Sequence, residues 1–311
     1  MATRLIALDW GSSQLRAFRM GAGGVVLEQR ASDDGASRLH GGAAAFEAAL
    51  RGLVGDWLLQ GGPGRLPILA CGMVGSAHGW REAAYAACPL PLQALHRQLT
   101  EVQAGGGMQV HIVPGVRGRG ADGLPDVMRG EETQLLGLLA TQPALAAAAT
   151  VVLPGTHSKW VQLREGRLQH FDTRMTGEQF ALLRAHSVLG RLMAPAAGFD
   201  GAAFVRGVEA ARAAGGADLG RLLFSVRTLG LFGELPATGL ADYLSGLLIG
   251  AELAAALPGC DAAAPLVLVG EPALCERYRL ACAQWERTAG VGDGPLAAQG
   301  LWQVALQAGW V

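Results

Sequence analysis

The sequence predicts an α/β protein of two lobes, each built on a mixed sheet flanked by helices. Three observations carry that expectation. At 311 residues the chain exceeds the roughly 100 to 200 that one compact core usually holds, and it is comfortable for two. Short apolar runs bounded by glycine alternate with stretches of helical spacing, as strands and covering helices do. One strand-turn-strand arrangement occurs twice, once in each half of the chain.

In order along the chain, RLIALD (4–9) leads through GSSQ into LRAFRM (15–20), then through GAGG into VVLEQR (25–30). The glycines at 21, 23 and 24 supply the positive φ angles of a hairpin, so the segment reads as a strand meander. Residues 42–60 have helical spacing. LPILAC (66–71) resembles a buried parallel strand and ends in the glycine-rich GMVGSAHGW; ligands tend to bind beyond such strand ends. QVHIV (109–113) is a further strand, followed by a loop rich in Gly, Arg and Asp up to Pro125, and a helix over 129–139 closes the first half.

The second half opens on the same plan: TVVLPG (150–155), the turn THS, KWVQLRE (159–165), a turn at Gly166 and RLQHFDTR (167–174). Setting Gly11 on Gly155, 144 residues later, puts Ser12 on Thr156 and Ser13 on His157. The repeat predicts an N-terminal lobe over 1–146 and a C-terminal lobe over 147–311. The rest reads as helices near 176–190, 202–214, 240–257, 273–284 and 296–308, interrupted by a single buried-type strand, PLVLVG (265–270).

Composition narrows the function classes. The net charge is -1 and there is no basic run, so the chain lacks the electrostatic footprint of a DNA or RNA binder. The longest apolar stretch, Leu244 to Leu257, is interrupted by Glu252 and several glycines and is shorter than the roughly 20 residues that span a bilayer. No membrane span is expected. The chain starts directly on a strand-like segment without the features of a leader, which points to the cytoplasm. Five cysteines with no CxxC pair argue against a disulfide framework and against zinc. Of 25 basic residues only Lys159 is lysine, placed inside a glycine-threonine loop where a compact, flexible ammonium group is useful. Small molecules are the expected partners, and the sequence is compatible with a homo-oligomer.

In both meanders the chain reverses through glycine and a hydroxyl residue, DWGSS in the first and PGTHS in the second. Such a turn can aim backbone N–H groups and a hydroxyl at phosphate oxygens. Either turn alone would be read as an ordinary β-turn. The matched pair, with an acid at the end of one strand only, favours phosphate binding. Gly11, Ser12, Ser13, Gly155 and Thr156 form the expected cradle. Asp9 is placed to hold a hydrated Mg²⁺ bridging the terminal phosphates of ATP, the alternative being a carboxylate that caps its own turn.

DWGSSQLR resembles the first phosphate motif of the sugar-kinase, hexokinase and actin superfamily, and GTHSKW resembles the second. ACGMVGSAHGW, VMRGEETQLLG, LPGTHSKWVQ, TRMTGE and LSGLLIGAEL together resemble the 2-dehydro-3-deoxygalactonokinase family, with blocks running from residue 4 to about residue 308. The resemblance implies a two-lobed actin-like ATPase (ribonuclease H-like) fold with a nucleotide cleft between the lobes, and ATP and Mg²⁺ as cofactors. It further implies transfer of the γ-phosphoryl group to the terminal hydroxyl of 2-dehydro-3-deoxy-D-galactonate, giving the 6-phosphate in galactonate breakdown. Two other readings stay open: a kinase of another sugar or keto-deoxy sugar acid, and a non-catalytic nucleotide-binding protein of the actin kind. No basic helix-turn-helix segment precedes the region, which disfavours a repressor.

Phosphoryl transfer also needs a group to take the proton of the attacking hydroxyl. Glu131 and Glu132, at the first turn of the helix after Gly130, are the candidates, followed by Asp126. Acids at that place are favourable through the helix macrodipole alone, which is the competing explanation. His157 can donate to a phosphate or stand by, and Lys159 can reach the phosphates or leave as a solvated strand residue. Arg129 and Arg16 are the candidates for the substrate carboxylate. Gly72, Met73, Gly75 and Ser76 with Trp80 form the expected sugar-facing loop, unless that loop is structural and Trp80 is core.

VLVGEPAL (267–274) has the strand, glycine turn and helix order of an adenosine motif, with Gly270 allowing close approach. It departs from the commoner pattern at Glu271 and Pro272. Ala297 and Gly300 suit a closely packed connecting helix. In the second turn Leu153 or Pro154 stands where such folds often carry another aspartate, which favours a sugar hydroxyl over water as acceptor.

Overall fold

The computed structural model describes residues 1–59, 66–120 and 122–311. Gln60, the expected end of the first helix, lies outside them, as does Ala121. The chain divides into two compact units, Met1–Ala148 with Leu163–Phe171 and Asp293–Val311, and Ala149–Gln162 with Asp172–Gly292. The expected division at 146/147 lies beside the first boundary, while the tip of the second hairpin and the C-terminal segment associate with the first unit.

The first 148 residues form β1 (Leu5–Trp10), β2 (Leu15–Met20), β3 (Val26–Ser32), α1 (Ala43–Leu59), β4 (Ile68–Cys71), β5 (Tyr85–Ala87), β6 (Leu90–Pro91), β7 (Thr100–Ala104), β8 (Met108–Ile112), β9 (Gly115–Arg119), β10 (Pro125–Met128) and α2 (Glu131–Thr141). The main sheet runs β3-β2-β1-β4-β8-β7. Its centre, β1, is buried along its whole length, so it reads as a continuous apolar run that ends at Asp9 and Trp10. It pairs antiparallel with β2, setting Asp9 opposite Arg16, and parallel with β4.

The segment expected as a loop before Pro125 is instead the antiparallel pair β9 and β10, with β5 added in parallel. Arginine and glycine mask the strand signal there. A Cβ on Gly115 would sit 2.7 Å from the Tyr85 ring, so the glycine is a packing requirement.

The second part of the chain forms β11 (Ala148–Leu153), β12 (Ser158–Arg164), β13 (Arg167–Arg174), α3 (Thr176–His186), α4 (Gly201–Ala213), α5 (Leu219–Leu231), α6 (Leu240–Ala256), β14 (Leu266–Leu268), α7 (Pro272–Ala283), β15 (Ala289–Val291) and α8 (Leu296–Gln307). Its sheet runs β15-β14-β11-β12-β13-β6, with β14 parallel to both β11 and β15. The order β13-β12-β11-β14-β15 repeats β3-β2-β1-β4-β8, so the repeat read from the two turns extends over five strands in each sheet. Two elements of this part were not expected, α5 and β15, which gives β14 a partner where a single strand was foreseen; in the first part β5, β6 and β7 were not expected either.

Helices cross where glycine removes the side chain. A Cβ on Gly246 of α6 would lie 2.0 Å from the Phe204 carbonyl oxygen of α4, and one on Gly300 of α8 would lie 1.9 Å from the Thr133 carbonyl oxygen of α2. Among the described residues one stretch, Leu240–Gly259, is long and apolar enough to cross a membrane. Most of it is buried inside the second unit, where α6 packs on α4 and supplies the core.

Candidate active site

The first turn is braced from behind. Gly11 N–H donates to the Gln14 carbonyl (3.0 Å), closing the reversal, so this N–H is not available to a ligand. Ala36 N–H donates to Gly11 O (2.9 Å) and Ser37 N–H to Ser12 O (3.1 Å). A Cβ on Gly35 would come within 2.2 Å of the Ser13 carbonyl carbon, so only glycine lets this support approach. Ser12 and Ser13 are left exposed at the tip.

Asp9, at the end of β1, is 8% exposed and accepts a hydrogen bond from Arg16 Nη2 at 2.6 Å. Burial raises its carboxyl above the usual range in spite of Arg16, and the charge of Glu131 adds to the rise. Arg16 is half exposed and bound to this acid. Two further glycines bring the start of α2 here. Gly72 has φ +93° and a Cβ on it would lie 2.7 Å from Trp10 O; Gly130 has φ +111° and its Cβ would lie 3.2 Å from Gly72 Cα. The end of β1, the GMVGS loop and the N-terminus of α2 therefore meet.

The two expected acids separate at this point. Glu131 is half-buried, and its Oε2 accepts the Arg129 N–H at 3.0 Å. Glu132 is fully buried; both oxygens accept the Gly130 N–H (3.0 and 2.8 Å), and Oε1 also accepts from Thr133 Oγ1 (3.0 Å). Burial, then the neighbouring Glu131 charge, pushes the Glu132 carboxyl up to about 8. This is a buried carboxyl tied to its own helix end, with no surface for a sugar. Asp126 lies in β10, where Oδ1 accepts the Val127 N–H at 2.7 Å.

In the GMVGS loop Gly72 and Gly75 are buried, while Met73 and Ser76 are half-buried. Trp80 corrects the expectation of a sugar-facing ring. It packs edge-on against Trp10 at 5.9 Å and stacks on Phe46 at 6.0 Å, in the core of the first unit. Arg129 is 9% exposed: Nη2 donates to Ala83 O at 2.7 Å and the guanidinium lies 4.2 Å over the Tyr85 ring. Its Nε and Nη1 have no partner among the described residues, and a Cβ on Gly75 would sit 2.9 Å from Nη1.

The second turn has the same build. Thr156 and His157 are exposed, and a Cβ on Gly155 would meet nothing within 4 Å. Behind it, a Cβ on Gly177 would lie 2.3 Å from Gly155 O, and Glu178 N–H donates to Thr156 O at 2.9 Å. His157 Nε2 pairs with the Glu178 carboxylate. Lys159 is buried and its Nζ donates to His157 O at 3.1 Å, so it is no solvated strand residue.

Gly270 also serves this region, since its Cβ would lie 3.1 Å from Pro154 O. The departures beside it have a local cause: Glu271 caps α7 by accepting the Leu274 N–H (2.9 Å), and Pro272 occupies the first helical turn.

Sequence reasoning missed a cavity of about 330 Å³ within the second unit, reached from Gly155, Thr176 and Gly177 and walled by Phe199, Asp242 and Arg277. Arg277 pairs with Asp242 (2.7 Å) and stacks on Phe199 (4.2 Å). The TRMTGE and LSGLLIGAEL blocks hinted at part of this wall; the segment carrying Phe199 gave no signal.

A family model described as 2-keto-3-deoxy-galactonokinase matches residues 9–304, from Asp9 into α8. The chain belongs to this family. It is 38% identical over 281 residues to the 2-dehydro-3-deoxygalactonokinase of Escherichia coli K12, covering 90% of each chain. A Rhizobium meliloti protein assigned to the same activity is 39% identical, with 88% of this chain and 87% of that protein covered. A crystal structure of a Sinorhizobium meliloti protein assigned as a 2-dehydro-3-deoxygalactonokinase superposes with a TM-score of 0.86 at 37% identity, over 97% of this chain and 98% of that one. The activator of 2-hydroxyisocaproyl-CoA dehydratase from Clostridium difficile shares the fold alone, at a TM-score of 0.51 and 14% identity. As a member of the 2-keto-3-deoxy-galactonokinase family the chain is a sugar-acid kinase, and ATP is its nucleotide.

Proposed function

We infer that the protein transfers the γ-phosphoryl group of ATP to the terminal hydroxyl of 2-dehydro-3-deoxy-D-galactonate, giving ADP and the 6-phosphate in galactonate breakdown. The observation that carries this reading is the family match, which starts at Asp9 and takes in both phosphate turns and both α2 acids.

The chemistry asks for charge neutralisation, positioning and a proton acceptor. The exposed Ser12 and Ser13 of the first turn, and Gly155 and Thr156 of the second, receive phosphate oxygens; His157 and Lys159 support the second turn. The cavity beside Gly155 takes the adenosine, with the Arg277–Phe199 stack as a flat platform for a purine. Glu131 accepts the proton as the acceptor oxygen bonds to phosphorus and the bond from phosphorus to the ADP oxygen breaks. Glu132 holds the start of α2 rather than touching the sugar. The Nε and Nη1 nitrogens of Arg129, without partners among the described residues, are donors that a substrate carboxylate would complete, and Gly75 leaves Nη1 without a covering side chain.

The residues at Asp9 suit magnesium. Mg²⁺ keeps several waters and takes one or two carboxylates besides phosphate oxygens, a demand that Asp9 meets at the mouth of a phosphate turn. Bound there, the ion would supply charge neutralisation on the terminal phosphates. We place the protein in the cytoplasm, where ATP and the sugar acid are both available.

The test is ADP release with ATP and Mg²⁺ across a panel of acceptors. ADP should form in step with added 2-dehydro-3-deoxy-D-galactonate, and faster than with neutral ketoses or other keto-deoxy acids. No phosphorylation of that acceptor would remove the reading. Assembly on ATP alone would favour the actin-like alternative.

A further inference from the structure

The apolar core of the second unit contains a carboxylate that the chemistry above does not use. Glu252 lies on α6 between Ala251 and Leu253, is 4% exposed and feels the charge of Arg174. Three side chains from three elements donate to it. Trp160 Nε1 of β12 bonds Oε1 at 2.7 Å, Tyr278 OH of α7 bonds Oε2 at 2.9 Å, and the hydroxyl of Thr176, at the start of α3, bonds Oε2 as well. Tyr278 has one proton and gives it to Glu252, so in its 2.9 Å contact with Ser158 Oγ the serine donates. The chain of bonds therefore runs from Ser158 through Tyr278 to Glu252, and from Thr176 to the same carboxylate.

Both arms end at the second phosphate turn. Ser158 is the first residue of β12, directly after Gly155–Thr156–His157. Thr176 precedes Gly177, whose missing side chain lets it lie against Gly155 O, and Glu178, whose N–H holds Thr156 O. Thr176 and Tyr278 also line the cavity beside Gly155. A buried acid is unfavourable unless fully bonded, and an apolar residue would fill the α6 position more cheaply, so stability alone does not explain it. What the carboxylate does supply is a single fixed arrangement of β12, α3 and α7 around one turn.

We propose that Glu252 is the positioning residue of the second phosphate turn: through Thr176 it seats α3 behind Gly155 and Thr156, and through Tyr278 and Ser158 it fixes the strand that leaves them. The inference rests on the reading of that turn as a phosphate site. ATP affinity is measured by titration calorimetry, together with the KM for each substrate, in Glu252→Gln, Thr176→Val, Thr176→Ser and Tyr278→Phe.

Glu252→Gln and Thr176→Val should weaken ATP binding about tenfold or more, with the KM for the sugar acid changed less than twofold. Thr176→Ser, which keeps the hydroxyl, should recover most of the ATP affinity. If Glu252→Gln does not fold, Thr176→Val and Tyr278→Phe carry the test. Lower melting temperatures with unchanged ATP affinity in those two variants would make the network purely structural and overturn the proposal. Gly155→Ala separates the two levels. Normal ATP binding by that variant would sink the phosphate-turn reading itself; weakened binding there with normal binding in Thr176→Val and Tyr278→Phe would sink only the role of Glu252.

Discussion

The two turns proposed to bind phosphate share one design at the tip and differ in what supports it. Each reverses through glycine and hydroxyl residues at the tip, and each is pressed from behind by a glycine that has no room for a side chain, Gly35 in the first unit and Gly177 in the second. The first turn follows an acid, Asp9, held by Arg16 and within electrostatic reach of Glu131. In the second, Leu153 and Pro154 replace any such acid, and the polar support is the buried Glu252 cluster. The two copies thus present hydroxyl residues in the same way and differ in the charged groups beside them. On the proposed reading the first turn carries the charges that the reaction uses, and the second is built to hold still.

That contrast sets the scale of expected effects. Glu131→Gln removes the proposed proton acceptor and should lower kcat by about 10²- to 10⁴-fold with the fold intact, checked by steady-state ADP release and circular dichroism. Unchanged turnover would take Glu131 out of the mechanism. Arg129→Lys keeps the charge and loses the planar fork; KM for the sugar acid should rise by about tenfold or more while KM for ATP stays near wild type.

Gly35→Ala and Gly177→Ala should each destabilise by at least about 1 to 3 kcal/mol in urea melts, because a Cβ would strike backbone atoms in either unit. A harmless substitution at one of them would break the parallel between the turns.

The pH dependence of stability tests the burial of Glu132. The folded Glu132 carboxyl is raised to about 8 against 4.5 in the unfolded chain. The folded state keeps a proton that the unfolded state releases, so the stability tied to this group is complete below about pH 4.5 and is lost as pH rises toward about 8. Glu132→Gln should flatten that decline in urea midpoints measured from pH 5 to 8; an unchanged slope would contradict the buried, proton-holding state.

Much of this was legible in the residues. The meanders β1–β3 and β11–β13 show as strands bounded by glycine, and the Gly11–Gly155 match extends to the order of both sheets. The short strands β5, β6 and β15 were not legible, because two or three residues carry no period and their pairing is set by neighbours distant in sequence. Helix α5 carries a pronounced apolar stripe, with Leu222 and Val226 buried, and was nonetheless missed. At the site, sequence offered Glu131 and Glu132 together, and the complete burial of Glu132 separates them. It also showed Glu252 only as a break in an apolar run; the partners Trp160 and Thr176 lie 92 and 76 residues away, where no local pattern reaches.

The comparison is tested most directly by steady-state kinetics of Asp9→Asn beside Gly155→Ala, with 2-dehydro-3-deoxy-D-galactonate as acceptor. The account predicts that Asp9→Asn loses kcat by about two orders of magnitude or more with KM for ATP within a few-fold. Gly155→Ala, whose added methyl meets open space in the protein, should keep its melting temperature and raise KM for ATP about tenfold or more. Full turnover in Asp9→Asn, or normal ATP affinity in Gly155→Ala, would contradict the division of labour between the two turns.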